Sequence, residues 1–85
     1  METVLLAITE KGLATARHLA SNTGAFVWSD ARAISEVQFA NLVRGTLTRF
    51  AHALDSRDAV DDAVNTIVEH HPGCVVFVER SAALG

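Results

Sequence analysis

Tyrosine is absent, cysteine, proline and tryptophan each occur once, and only seven side chains are Lys or Arg. Each scarcity removes a class of protein. One cysteine, Cys74, excludes an intramolecular disulfide. The longest apolar runs span five residues, 4–8 and 74–78, far short of the ~20 needed to cross a bilayer. Met1-Glu2 and the short run behind it do not read as a secretory leader. These features together predict a soluble protein of a reducing compartment, placed in the cytoplasm. The seven basic residues are scattered and are outnumbered by ten acids, for a net charge of −3. A phosphate-contacting surface needs a concentrated basic face, so neither a nucleic-acid nor a membrane partner is expected.

What the chain does have is apolar residues, 49% of the total, with a mean hydropathy of +0.24. Eighty-five residues make one small domain, 1–85, with a modest core. That much apolar surface is difficult to hide in one copy. It points to an intermolecular face, either a homodimer or a complex with another protein.

Three apolar runs each stop at polar residues. Val4-Leu5-Leu6-Ala7-Ile8 ends in Thr9-Glu10-Lys11-Gly12, Ala25-Phe26-Val27-Trp28 in Ser29-Asp30, and Cys74-Val75-Val76-Phe77-Val78 in Glu79-Arg80-Ser81. They read as buried strands over about 3–8, 25–29 and 74–78. A helix is expected from about Lys11 to Ser21 with Leu13, Ala16, Leu19 and Ala20 inward, closed by Asn22-Thr23-Gly24. Val37, Ala40, Val43, Leu47, Phe50 and Leu54 recur at helical spacing, with Phe39 and Leu42 on one flank and Gly45 inside. This pattern predicts a long helix over 33–54. A third helix, 57–70, carries Val60, Ala63, Val64, Ile67 and Val68 inward and stops at Pro72-Gly73. The order β-α-β-α-α-β predicts an α/β fold with a three-stranded, mostly parallel sheet, order 2-1-3, covered by helices. An antiparallel last strand stays open.

If the strands are parallel, their polar ends share the edge where open α/β sheets bind ligands. Thr9, Lys11, Gly12, Asp30 and Arg80 are therefore the candidate ligand-binding residues, with Glu10, Ser29, Arg32, Glu79 and Ser81 beside them. The turn 9–12 opens a helix and offers backbone N–H groups to an anion. It holds one glycine, where phosphate-binding fingerprints hold several. Glu69-His70-His71 and Cys74 are metal-ligand types, but a second ligand cluster is missing, so neither metal nor cofactor is expected. Cys74 with His70 or His71 lacks an orienting third residue, and no nucleophile elbow is present, so the chain does not read as an enzyme.

Asp58, Asp62 and Glu69 share one face of the third helix, and Asp55 and Asp61 flank it. Acids near a helix start suit its dipole. The same face can steer a partner that carries a basic patch. Phe26 and Trp28 share a face of the second strand, as core or, if that strand lies at an edge, as interface anchors.

The opening Val4 to Gly12, followed by Ala16-Arg17-His18-Leu19-Ala20, is similar to the start of the CbiG amino-terminal domain. That family belongs to cobalamin biosynthesis and opens the lactone ring of a cobalt-precorrin. The closing residues 75–85 resemble its next strand and glycine-containing turn. The resemblance implies an α/β fold. It covers about a third of the chain, leaves out residues 30–72, and departs at Glu79-Arg80, where the family has small residues; no catalytic residue carries over. The leading expectation is a non-catalytic protein–protein interaction module, an adaptor, subunit or small inhibitor. It would act through Asp55, Asp58, Asp62, Glu69 and Trp28. The alternative is a small-molecule or anion-binding module using the polar strand ends.

Overall fold

A computed structural model describes residues 2–42 and 47–80. The elements follow as β1 (Thr3–Ala7), α1 (Glu10–Thr23), β2 (Phe26–Ser29), α2 (Glu36–Ala40), β3 (Leu47–Arg49), α3 (Arg57–His70) and β4 (Val75–Val78). The sheet is parallel throughout, in the order β3-β2-β1-β4. The α/β class and the parallel sheet agree with the sequence reading. The strand count and order do not: among the described residues the sheet has four strands in the order 3-2-1-4, not three in the order 2-1-3. The last strand is parallel, which closes the antiparallel option.

The difference lies in residues 33–54, where the expected long helix is replaced by a buried turn, a short helix and a strand. Ser35 caps α2 with a full capping box, its hydroxyl accepting from Gln38 N while the Gln38 side chain accepts from Ser35 N. Asn41 closes the helix after five residues. Leu47–Arg49 then pairs with Val27–Ser29, and Phe50 N donates to Ser29 O at 2.8 Å. The apolar residues that look like one stripe are divided between the two faces of the sheet. Phe39, Leu42 and Leu47 pack with Leu13, Ala16 and Val27 on the α1 side. Phe50 and Leu54 pack with Val4, Leu6, Trp28 and Ile67 on the α3 side. One straight helix cannot serve both faces. Pairing also satisfies backbone groups of β2 that an uncovered edge would leave to water. Val43 and Gly45 of the expected helix lie outside the described residues.

The rest follows local chemistry. Thr9 caps α1 by accepting from Gly12 N at 3.0 Å, and Gly24 ends that helix at φ 77°, a left-handed position that favours glycine. Ser56 caps α3 by accepting from Ala59 N. Between α3 and the sheet, the Trp28 ring sits 5.2 Å from the Phe50 ring and 5.3 Å from His70, while the His71 ring lies 4.5 Å from Phe26, tilted by 42°. Strand β2 is interior, so Trp28, 6% exposed, belongs to the core and is not an edge anchor. None of the helices among the described residues is long and apolar enough to cross a membrane.

Val37 and Leu54 lie on the same expected helical stripe yet are 71% and 0% exposed. Leu54→Ala is therefore expected to lower unfolding stability by about 2–5 kcal/mol, and Val37→Ala by no more than about 0.5 kcal/mol. Urea titration of the two variants measures the contrast; equal losses would restore the helical reading of 33–54.

Candidate functional site

Strand order reverses between β1 and β4, and in open α/β sheets the crevice at the carboxyl ends of such a pair is the usual ligand position. Here that crevice is occupied by the chain's own carboxylate. Glu79, just past β4, accepts from Ile8 N at 2.6 Å, Thr9 N at 2.8 Å and Thr9 Oγ1 at 2.6 Å. The carboxylate lies against Gly12, where any Cβ would collide with it. Glycine leaves room for the carboxylate to approach the first turn of α1 directly; a side chain here would have to displace it. A negative charge at a helix N-terminus is favourable, and Glu79 provides what a bound anion would. Burial pushes the Glu79 carboxyl up, but the Thr9 hydroxyl and the Thr9 and Ile8 N–H donors outweigh it and hold the group below its ordinary value.

Asp30 forms the second polar centre of the edge and is fully buried. Its Oδ1 accepts from Arg32 N at 2.6 Å and Nε at 3.2 Å; its Oδ2 accepts from Arg32 Nη2 at 2.8 Å and from Leu54 N at 2.7 Å. Burial raises its carboxyl too, and the Arg32 side chain with the Arg32 and Leu54 N–H groups more than reverses the effect. Arg49, which the sequence did not single out, fastens the same region: Nε donates to Ile34 O at 2.7 Å and Nη2 to Ala31 O at 3.0 Å. Ser29 Oγ, also buried, has no hydrogen-bond partner among the described residues.

The polar strand ends thus do share one edge, but their donors and acceptors are largely satisfied by one another. Thr9 and Gly12 are engaged with Glu79 and the helix cap, and Asp30 with Arg32 and Leu54. Lys11 and Arg80 are exposed at this edge, and among the described residues neither forms an ion pair. Ser81 lies outside the described residues. No group of three or more His, Cys, Asp or Glu among the described residues is placed to hold a metal ion. His71 instead meets Glu2 Oε1 through Nδ1 at 2.7 Å, and His70 Nδ1 meets Thr66 O.

Away from this edge, Asp55, Asp58, Asp62 and Glu69 are exposed on and before α3, as expected, and Asp61 beside them is too. The surface that sequence reasoning missed is β4. Its run of apolar residues reads as a buried strand, but Val75, Phe77 and Val78 are exposed, Phe77 at 59%. Leu19 of α1 and Val68 of α3, both on expected inward stripes, are exposed as well. Among the described residues, five of the six exposed large apolar side chains thus belong to β4 or to α1 and α3; the sixth is Val37. On the α1 side a shallow groove of about 230 Å³ runs between Phe77, Leu5, Ala16 and Leu19, with Glu79 at its end. The sequence carries the signal in outline: more apolar residues than one small domain can hide.

No family model, curated protein or solved structure matches the chain, and none of these comparisons supports the resemblance to the CbiG amino-terminal domain.

Both carboxyls sit below their ordinary values of 3.8 and 4.5 in the fold, so their contribution to stability is complete above those values. It is lost as pH falls through the lower folded values. Glu79→Gln is expected to lose about 1–3 kcal/mol at neutral pH and to show a shallower decline in acid. Gly12→Ala displaces the same carboxylate, so combining it with Glu79→Gln should cost clearly less than the sum of the two. Denaturant titrations from pH 7 to pH 3 read both effects; additive losses would detach Gly12 from Glu79.

Proposed function

We propose that this chain is a non-catalytic protein–protein interaction module with two contact surfaces, the apolar β4 edge and the acidic face of α3. The observation that carries the reading is that Val75, Phe77 and Val78 of the edge strand β4 are exposed, with Leu19 of α1 across the groove from Phe77. Contiguous apolar surface of this kind marks association sites. β4 contains no lysine, proline or glycine, residues that commonly protect a sheet edge. The opposite edge, β3, is three residues long and carries Thr48 and Arg49. The α3 acids add a second element, suited to a partner with a basic patch and to rapid, salt-sensitive encounter.

The alternative, a small-molecule or anion module at the strand ends, draws on the parallel sheet and on the placement of Lys11 and Arg80 at one edge. Against it, Glu79 takes the Ile8 and Thr9 N–H groups that an anion would use. An incoming anion would also face two carboxylates, Glu79 and Asp30. The module reading needs no displacement of these contacts.

Native mass spectrometry of the protein purified gently from its host separates the two readings: a stoichiometric second protein is expected, and a retained small molecule without one would favour the alternative. Once a partner is in hand, Asp58→Lys with Asp62→Lys is expected to weaken the complex by at least about tenfold with an unchanged circular dichroism spectrum, and added salt should weaken the wild-type complex. Unchanged affinity would remove the acidic face from the reading.

A further inference from the structure

Building on the reading of β4 as a contact surface, we propose that its occupant is a second copy of this chain, paired antiparallel through β4 about a two-fold axis at Phe77. The backbone sets the geometry. Val75 N donates to Glu2 O at 2.9 Å and Glu79 N to Leu6 O at 2.8 Å, so this alternate set faces β1. By the two-residue period of a strand, the N–H and C=O groups of Val76 and Val78 face away from the sheet. These two residues are symmetric about Phe77. An antiparallel second β4 therefore places Val76 opposite Val78 of the other copy twice over, exchanging both hydrogen bonds at each pair. Phe77 meets its own counterpart on the axis as a closely spaced side-chain pair. The product is a continuous eight-stranded sheet, within the range open sheets tolerate.

The charges at the two ends of β4 make this pairing self-complementary. Arg80 lies past one end; Glu2, level with Cys74 in the β1–β4 register, lies at the other. With Phe77 on the axis, Arg80 falls opposite Cys74 of the second copy, and that copy's Glu2 is one strand further. The Cα separation is then about 10 Å, two strand spacings, within the joint reach of an arginine and a glutamate. Both side chains are on the α3 face: Glu2 contacts His71, whose ring lies against Phe26, and Arg80 continues the alternation of Val76 and Val78. Symmetry forms the pair twice. A parallel arrangement would instead set like charges together. Leu19, exposed across the groove from Phe77, extends the apolar contact on the α1 face of the strand pair.

Sedimentation equilibrium of the purified full chain tests the proposal. Wild type is expected to be a dimer, and Phe77→Lys, which sets two cations together on the axis, a folded monomer. Arg80→Glu is expected to weaken the dimer at least about threefold, and adding Glu2→Arg to restore it. If Phe77→Lys does not fold, the charge exchange decides the matter. A wild type monomeric at hundreds of micromolar, a dimer indifferent to Phe77→Lys, or a charge exchange that fails to rescue would each overturn the proposal. A monomeric wild type that still binds a heterologous protein would leave the interaction-module reading standing; one that binds none would end both.

Discussion

The carboxylate of Glu79, seated on the turn between β1 and α1, is the interaction on which the rest of the molecule depends. It joins the last strand of the chain to the first across about seventy residues of sequence. It satisfies two backbone donors where α1 begins, and it accounts for glycine at position 12. It also fills the crevice where strand order reverses, the position that a ligand takes in folds of this architecture. Asp30 does comparable work one strand away, holding Arg32 and the returning chain at Leu54. The carboxyl edge of the sheet is therefore built mainly from contacts within the protein.

With that edge closed, the unfinished part of the structure is the side of β4. The two helices and the strand each have an apolar periodicity that calls for burial, and each leaves part of it uncovered, Leu19 of α1 in the groove beside Phe77. Leu19, Val68, Val75, Phe77 and Val78 are apolar residues whose pattern matches a core but whose exposure does not. The physical conflict is resolved if the sheet continues into another molecule. Hydrogen bonding adds to the apolar driving force there, because an added strand also satisfies the outward groups of Val76 and Val78.

Much of the fold was legible in the sequence, and the failures have specific causes. β1, α1, β2 and α3 emerge near their expected bounds because each has a single uninterrupted period and a recognisable cap: Thr9, Gly24 and Ser56. The 33–54 segment misled because Val37, Leu47, Phe50 and Leu54 recur at helical spacing while packing on different faces or not at all. The Ser35-to-Gln38 capping box was the local signal for a helix that starts later, and the spacing hid it. β4 read as buried because a continuous apolar run does not say whether anything covers it. The parallel strands bring the described strand-end residues to one edge, but the sequence could not show that Glu79 and Asp30 would consume the donors around them. Trp28 was placed on a real strand, and only the unexpected β3 turned that strand from an edge into an interior one.

Amide hydrogen exchange, read residue by residue on dilute and concentrated protein, tests the central claim that the strand-end crevice is closed and the β4 edge open to a second copy. The Ile8 and Thr9 amides are expected to be protected at every concentration, and the Val76 and Val78 amides to gain protection only as concentration rises. Fast exchange at Ile8 and Thr9, with Val76 and Val78 unprotected throughout, would contradict it.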